Sequence, residues 1–147
     1  MGLQANYSGI LTQIQNSLNL VLPSTQQINS VLFGDGNPLQ QTYPVAQILF
    51  GEGTTEVQTA SYFTTDQEMH LYFYFNSLSQ SDILGFIDTF FSWYYPENQN
   101  FGQQWIIQSK LRKFAFGADP SGDIGGYNGN LMTVGFIFDV VSQINVF

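Results

Sequence analysis

A chain of 147 residues, 44% of them apolar, is long enough to fold as one domain around a hydrophobic core. The absence of cysteine excludes disulfides, thiolate metal sites and a cysteine nucleophile. Three basic residues against eleven acidic ones give a net charge of −8, which argues against tight nucleic-acid binding, because Lys and Arg supply most of the affinity for phosphate.

The opening segment of the chain is predicted to be helical. Apolar residues recur at helical spacing and predict an amphipathic helix that ends before Pro23: Tyr7, Ile10, Leu11, Ile14 and Leu18. A second short helix or turn is expected after Ser24, around Gln26–Leu32. A strand is expected at Pro44–Phe50, ended by Gly51-Glu52-Gly53, and a weaker strand at Val57–Phe63.

The middle of the chain carries the clearest strand and the clearest helix. Glu68–Asn76 alternates, so that Met69, Leu71, Phe73 and Phe75 are expected to face the core while His70, Tyr72 and Tyr74 share the other face. A helix follows, capped by Ser79 or Ser81 and stopped by Pro96. Its apolar stripe is expected to pack on a sheet: Ile83, Phe86, Ile87, Phe90, Phe91 and Tyr94.

Two long strands, Gln104–Phe116 and Leu131–Val141, close the chain. Simple alternation places Leu111 and Lys113 on one face of the first strand and Lys110 and Arg112 on the other. The strictly apolar set of the second strand is expected to face inward: Met132, Val134, Phe136, Phe138 and Val140. Gly117–Asn130, which contains five glycines, is expected to form a long hairpin arm or loop between them. The order helix, strands, helix, strands predicts a single α+β domain over residues 1–147. We expect a mostly antiparallel sheet with two helices packed on one face.

The sequence offers little catalytic chemistry. His70 is the only histidine, and no nucleophile-elbow or phosphate-binding motif accompanies it. Asp119 and Asp123 flank a Gly-rich turn but lack the alternating ligands and the later Glu of a calcium loop. We therefore predict no catalytic, metal or cofactor site. Apolar runs such as Leu71–Phe75 are too short to span a membrane, and Met1–Asn6 does not resemble a secretory signal.

Charge is scarce and unevenly distributed. Charged residues make up 10% of the chain and aromatic residues 16%, which favours an assembling protein, since interface cores are poor in charge and rich in aromatic side chains. All three basic residues lie together at Lys110, Arg112 and Lys113. This basic strip is interpreted either as a subunit interface that meets an acidic surface of the next copy, or as a solvated strand edge protected by its charges.

Several segments, taken in chain order, carry a resemblance to a known family. They are the amphipathic opening helix, the Pro-led strand Tyr43–Phe50, the aromatic strand His70–Phe75, the Ser-capped helix Asp82–Tyr95, the strand after Trp105, the Gly/Asp-rich loop and the closing strand Leu131–Val141. This layout resembles the tail terminator (tail completion) proteins of long-tailed bacteriophages. The resemblance covers nearly the whole chain and rests on the order of elements, without a diagnostic motif.

The resemblance implies a structural protein of the virion, in the tail or neck, assembled in the host cytoplasm. Such proteins form a hexameric ring on the last ring of the tail tube, end tube polymerisation and meet the head–tail connector protein. DNA would pass through the ring without specific binding, and no membrane or cofactor is involved. The loop is the expected arm toward a neighbour, through Gly117, Asp119, Gly122, Asp123, Gly125, Gly126, Tyr127 and Asn128.

Three alternatives stay open at this point. The chain could be another neck or tail tube subunit. It could be a small-molecule enzyme or binder with a cone-shaped sheet, in which His70 and either Tyr72 or Asp66 act as acid or base in a pocket. It could also be a soluble adaptor domain without assembly of its own.

Overall fold

The computed structural model describes residues 3–34, 36–57, 62–76, 78–117 and 131–145. Within these ranges the chain forms two α-helices, α1 (Leu3–Ser17) and α2 (Gln80–Glu97). It also forms five strands, β1 (Ser30–Phe33), β2 (Val45–Val57), β3 (Tyr62–Asn76), β4 (Ile106–Gly117) and β5 (Leu131–Asn145). Short 3-10 turns lie at Leu18–Leu20, Ser24–Gln26 and Pro38–Gln40.

The strands form one sheet in the order β1-β2-β3-β5-β4. β2, β3, β5 and β4 pair antiparallel, and β1 alone pairs parallel, with β2. The predicted α+β class, with a mostly antiparallel sheet and the order helix, strands, helix, strands, is confirmed. β4 therefore lies at one edge of the sheet, and this position decides which of its side chains can meet another molecule.

Both helices pack on the same face of the sheet, as predicted. Ile10 and Ile14 of α1 and Phe86 and Phe90 of α2 are fully buried in one core with the apolar face of β3 and β5. The ring of Phe90 stacks on that of Phe136, with 4.2 Å between centroids. Burial of each such side chain stabilises the fold by about 1.5–3 kcal/mol. This face is occupied by the protein's own aromatic core.

The start of α2 follows from its sequence. The hydroxyl of Ser79 accepts a hydrogen bond from the backbone N–H of Asp82 at 3.1 Å, which satisfies one of the donors left free at a helix start. The expected stop at Pro96 is wrong by one residue, because α2 continues to Glu97. Pro96 lies in the last turn, where its ring costs the helix only one hydrogen bond.

Three predictions about the first half of the sheet are wrong. The expected helix or turn around Gln26–Leu32 is present only at its start, in the 3-10 turn Ser24–Gln26. Ser30–Phe33 instead form β1, which pairs with β2. The segment 51–53 does not end β2, because a bulge between Phe50 and Gly53 shifts the register and pairing with β3 continues. The expected strand Val57–Phe63 is the end of β2 and the start of β3, with residues 58–61 outside the described ranges.

The expected division of Gln104–Phe116 between two faces is also wrong. Irregularities between Ile106 and Gln108 and between Leu111 and Lys113 each insert a residue into β4. The second one places Lys113 opposite Ile137, on the same face as Lys110, whereas simple alternation would have placed it with Leu111.

The expected loop arm cannot be described. Gly117 is the last residue of β4, and residues 118–130, which include Asp119, Gly122, Asp123, Gly125, Gly126, Tyr127 and Asn128, lie outside the described ranges. Of the helices in the described part of the chain, none is both long enough and apolar enough to cross a membrane.

Candidate subunit-interaction surface

The basic strip lies on β4, the edge strand. Lys110 is opposite Asp139 of β5 and Lys113 is opposite Ile137, so both lysines belong to the face of the sheet that the helices do not cover. Both side chains are exposed. We call this face the second face of the sheet. The structure brings the three predicted basic residues to one edge, where a neighbouring molecule could reach them.

Arg112 differs from the two lysines because it is engaged within its own chain. Its Nη1 donates to Glu68 Oε2 at 2.9 Å and to Asp139 Oδ1 at 3.4 Å. Glu68 and Asp139 are direct partners across β3 and β5, an arrangement in which like charges repel. Arg112 compensates that repulsion, and its hydrogen bond to Glu68 is the main reason that its own pKa is raised.

A chain of hydrogen bonds continues from Glu68 along β3. The His70 Nε2 lies 2.6 Å from Glu68 Oε1, and the His70 Nδ1 lies 3.2 Å from the Tyr72 hydroxyl. The hydrogen bond with His70, followed by that with Arg112, lowers the pKa of Glu68. The ring of Tyr72 lies close to Gly135, where an added Cβ would be 2.8 Å from it. His70 is thus bound on both ring nitrogens by neighbours on its own strand.

Lys110 and Lys113 stand apart from this network. Among the described residues, neither has an ion-pair partner within 4.0 Å. The contact of Lys110, Arg112 and Lys113 with a neighbouring subunit stays a prediction, and the two lysines are the members of the strip whose charges the fold leaves uncompensated.

Four aromatic residues, two from α2 and two from β4, form a surface that was not expected from the sequence. We call it the aromatic strip: Phe91, Tyr95, Phe114 and Phe116. The ring of Phe91 contacts two of the others, with centroids 5.9 Å apart for Phe91–Tyr95 and 5.3 Å apart for Phe91–Phe114. Phe116 follows Phe114 on the same face of β4. Tyr95, Phe114 and Phe116 nevertheless remain 50%, 45% and 37% exposed. The alternation Phe114-Ala115-Phe116 places both phenylalanines on one face of a strand. It indicates an exposed surface only if β4 is an edge strand, which the sequence did not reveal.

A second surface lies on the opposite flank of α2. A depression of about 250 Å³ is lined by Val21, Asp88, Thr89, Ser92 and Trp93, and we call it the helix-side hollow. Val21 is 55% exposed, and its neighbour Leu20 is 84% exposed. Asp88 has no ion-pair partner within the described ranges. The hollow therefore combines exposed apolar groups with an uncompensated negative charge.

Two further depressions lie on the surface. One of about 410 Å³ borders Tyr43 and Pro44, and one of about 170 Å³ borders Tyr72, Gly135 and Lys113. His70 lines neither of them, nor the helix-side hollow. In the part of the chain that the structure describes, no group of three or more metal-ligating side chains of His, Asp or Glu could hold a metal ion.

Comparison with known proteins adds one finding. No protein-family model and no curated protein matches the sequence. Among solved structures, a similar chain belongs to the virion of a native gene transfer agent (GTA) particle. The TM-score is 0.54, and the match covers 97% of this chain and 95% of that chain at 5% sequence identity. At this identity the likeness shows a shared fold.

Proposed function

We propose that this protein is a structural subunit of a tailed phage-like virion. Copies of it form a ring at the head-proximal end of the tail tube, end tube polymerisation and join the tail to the head connector. The observation that carries the proposal is the shared fold, over nearly the full length of both chains, with a chain of a virion particle. The layout of helices and strands, which resembles tail terminator proteins, supports the finer assignment.

The arrangement of His70 favours a structural role over the enzymatic alternative. Its two ring nitrogens contact Glu68 and Tyr72, and it borders none of the three depressions described above. A general acid or base must come within hydrogen-bond reach of a substrate in a pocket. Here the imidazole instead extends the network that Arg112 holds across β3, β5 and β4.

Assembly into a ring fits the surface of the chain. A ring needs an interface between two different surfaces that closes by rotation. The exposed lysines at the β4 edge and the acidic excess elsewhere supply opposite charges for such a contact. A subunit with a net charge of −8 would also let DNA pass through the ring without binding it.

The test is a capping assay with purified tail tube protein. Tubes polymerised in the presence of this protein should become shorter, and electron microscopy should find a ring at one end of each tube. Added connector protein should then bind to the capped end only. Incorporation along the whole tube would identify a tube subunit instead, and unchanged tube length without binding would refute the proposal.

A further inference from the structure

We infer that the aromatic strip and the β4 lysines of one copy dock into the helix-side hollow of the next copy, where Asp88 meets Lys110 or Lys113. This inference deepens the proposed function, on which it rests for the identity of the partner, a second copy of this chain. It specifies two complementary surfaces, one on each flank of α2.

The aromatic strip has the properties of an interface core. Phe114 and Phe116 lie on the helix side of β4 but extend past the cover that α2 provides, so that more than a third of each stays exposed. Contiguous exposed aromatic surface is unfavourable in water and is typical of interaction sites. Lys110 and Lys113 project from the other face of the same edge strand, and their long stems can reach a charge beyond the edge.

The hollow has the matching properties. Val21 offers apolar surface in the hollow, and the exposed Leu20 precedes it in the chain. Asp88 offers a negative charge without an ion-pair partner among the described residues. Gly85 lies one helical turn before Asp88, and beyond its own stretch of helix no atom of the described residues comes within 4 Å of the position of a Cβ there. Glycine in a helix costs about 1 kcal/mol relative to alanine. A partner that approaches this face of α2 closely would account for the glycine.

The positions of the two surfaces imply a head-to-tail contact. The aromatic strip lies on the flank of α2 that faces β4. The helix-side hollow lies on the flank that faces α1, where the Trp93 indole N–H donates to Ser17 of α1 at 2.9 Å. Different surfaces that bind each other generate a ring if the rotation closes. Addition of a strand to the β4 edge is less favourable, because the two irregularities in β4 interrupt the row of free backbone groups.

The absence of cysteine from the chain allows a direct test by crosslinking. Two small exposed residues are replaced in one chain to give A115C/S92C. Ala115 lies two residues after Lys113 on the same face of β4, and Ser92 lies in the hollow, one helical turn after Asp88. After mild oxidation, non-reducing electrophoresis should show a ladder of dimer, trimer and higher species that ends at the copy number of the ring. The single variants A115C and S92C should remain monomers, as should the control A115C/T42C, whose Thr42 lies before β2.

Charge reversal identifies the ion pair within this interface. Adding D88K to A115C/S92C should reduce the ladder at least tenfold, and adding K110E/K113E to the same chain should restore it. A dimer from a single-cysteine variant would indicate a two-fold interface and overturn the inference. So would a normal ladder with D88K alone, or an oligomer of wild-type protein that A115C/S92C fails to crosslink. In those cases the capping assay can still succeed, so failure of this contact is distinguishable from failure of the proposed function.

Discussion

Arg112 of β4 links three strands, because its guanidinium donates hydrogen bonds to Glu68 of β3 and Asp139 of β5, which lie opposite each other. This contact was not predictable from the sequence. It requires the register that places Glu68 opposite Asp139 and the irregularity that follows Leu111. The clustering of Lys110, Arg112 and Lys113 was visible in the sequence. The sequence did not show that Arg112 is engaged while the two lysines have no ion-pair partner among the described residues.

The Arg112 network predicts a pH-dependent loss of stability. Arg112→Met should lower the urea midpoint at pH 7, since Glu68 and Asp139 then repel each other without compensation. The pKa of Glu68 is lowered in the folded protein, so its ionised form stabilises the fold above its ordinary pKa, and that contribution is lost as pH falls through the lowered value. The difference between wild type and variant should therefore shrink below about pH 4.5.

Lys113→Met is the matched control, because it removes an exposed cation without an ion-pair partner in the described ranges. Its urea midpoint should equal that of the wild type at both pH values. The urea midpoint could instead fall equally in the two variants, or fall in Arg112→Met by an amount that does not change with pH. Either result would show that the Arg112 network contributes nothing specific to stability.

The aromatic core and the aromatic strip should respond differently to truncation. Phe90 is fully buried and stacks on Phe136, so Phe90→Ala should cost about 3–5 kcal/mol in urea unfolding. Phe114 is 45% exposed, and Phe114→Ala should cost only about 1–2 kcal/mol. If Phe114→Ala proved as costly as Phe90→Ala, the strip would be part of the core and unsuitable as a docking surface.

At the scale of the element, α1, α2 and β3 were predictable because their apolar periodicity is long and uninterrupted. Every described apolar residue of the predicted stripe in α2 packs in or against the core. β1 was not predictable, since four residues carry too little periodicity and their strand conformation depends on hydrogen bonds to β2. The continuation of β2 through segment 51–53 and the irregularities of β4 were not predictable for a related reason. Whether a glycine or an extra residue ends a strand depends on its pairing with the neighbouring strand.

The N-terminus of α2 gives an element-scale prediction. Ser79→Ala removes the hydroxyl that accepts from the Asp82 N–H and should destabilise the protein by about 1 kcal/mol. For a domain of this size, that corresponds to a decrease in Tm of about 2–4 °C, measurable by circular dichroism. Ser81→Ala, at an exposed position in the first turn of the helix, is the control and should leave Tm nearly unchanged. A larger decrease in Tm for Ser81→Ala than for Ser79→Ala would assign the cap to Ser81.

At the scale of the whole molecule, two electrostatic effects of different range act on assembly. Copies with a net charge of −8 repel each other at long distance, whereas Asp88 and the β4 lysines attract at contact. The Debye length is about 30 Å at 0.01 M salt, about 10 Å at 0.1 M and about 3 Å at 1 M. Long-range repulsion is therefore screened first, and the contact pair only at higher salt.

Self-association should consequently depend on salt in a non-monotonic way. Sedimentation velocity should show the tightest association near about 0.1–0.2 M salt and weaker association on both sides of that range. In the double variant Lys110→Met/Lys113→Met, self-association should no longer weaken above that salt range, because no ion pair with Asp88 remains to be screened. A wild-type association that strengthens continuously up to 1 M salt would indicate a purely apolar interface.

The confinement of every basic side chain to β4 has a further consequence for protease digestion. Trypsin cuts after Lys and Arg, so its only possible sites in this chain follow Lys110, Arg112 and Lys113. A protease needs an extended, unpaired backbone, so cleavage requires β4 to detach from β5. Cuts at these sites give two large fragments whose ends differ by at most three residues, and the rate at which they appear reports the opening of a single strand. In an assembly that covers this edge the same rate should fall, which turns a routine digestion into a measure of interface occupancy.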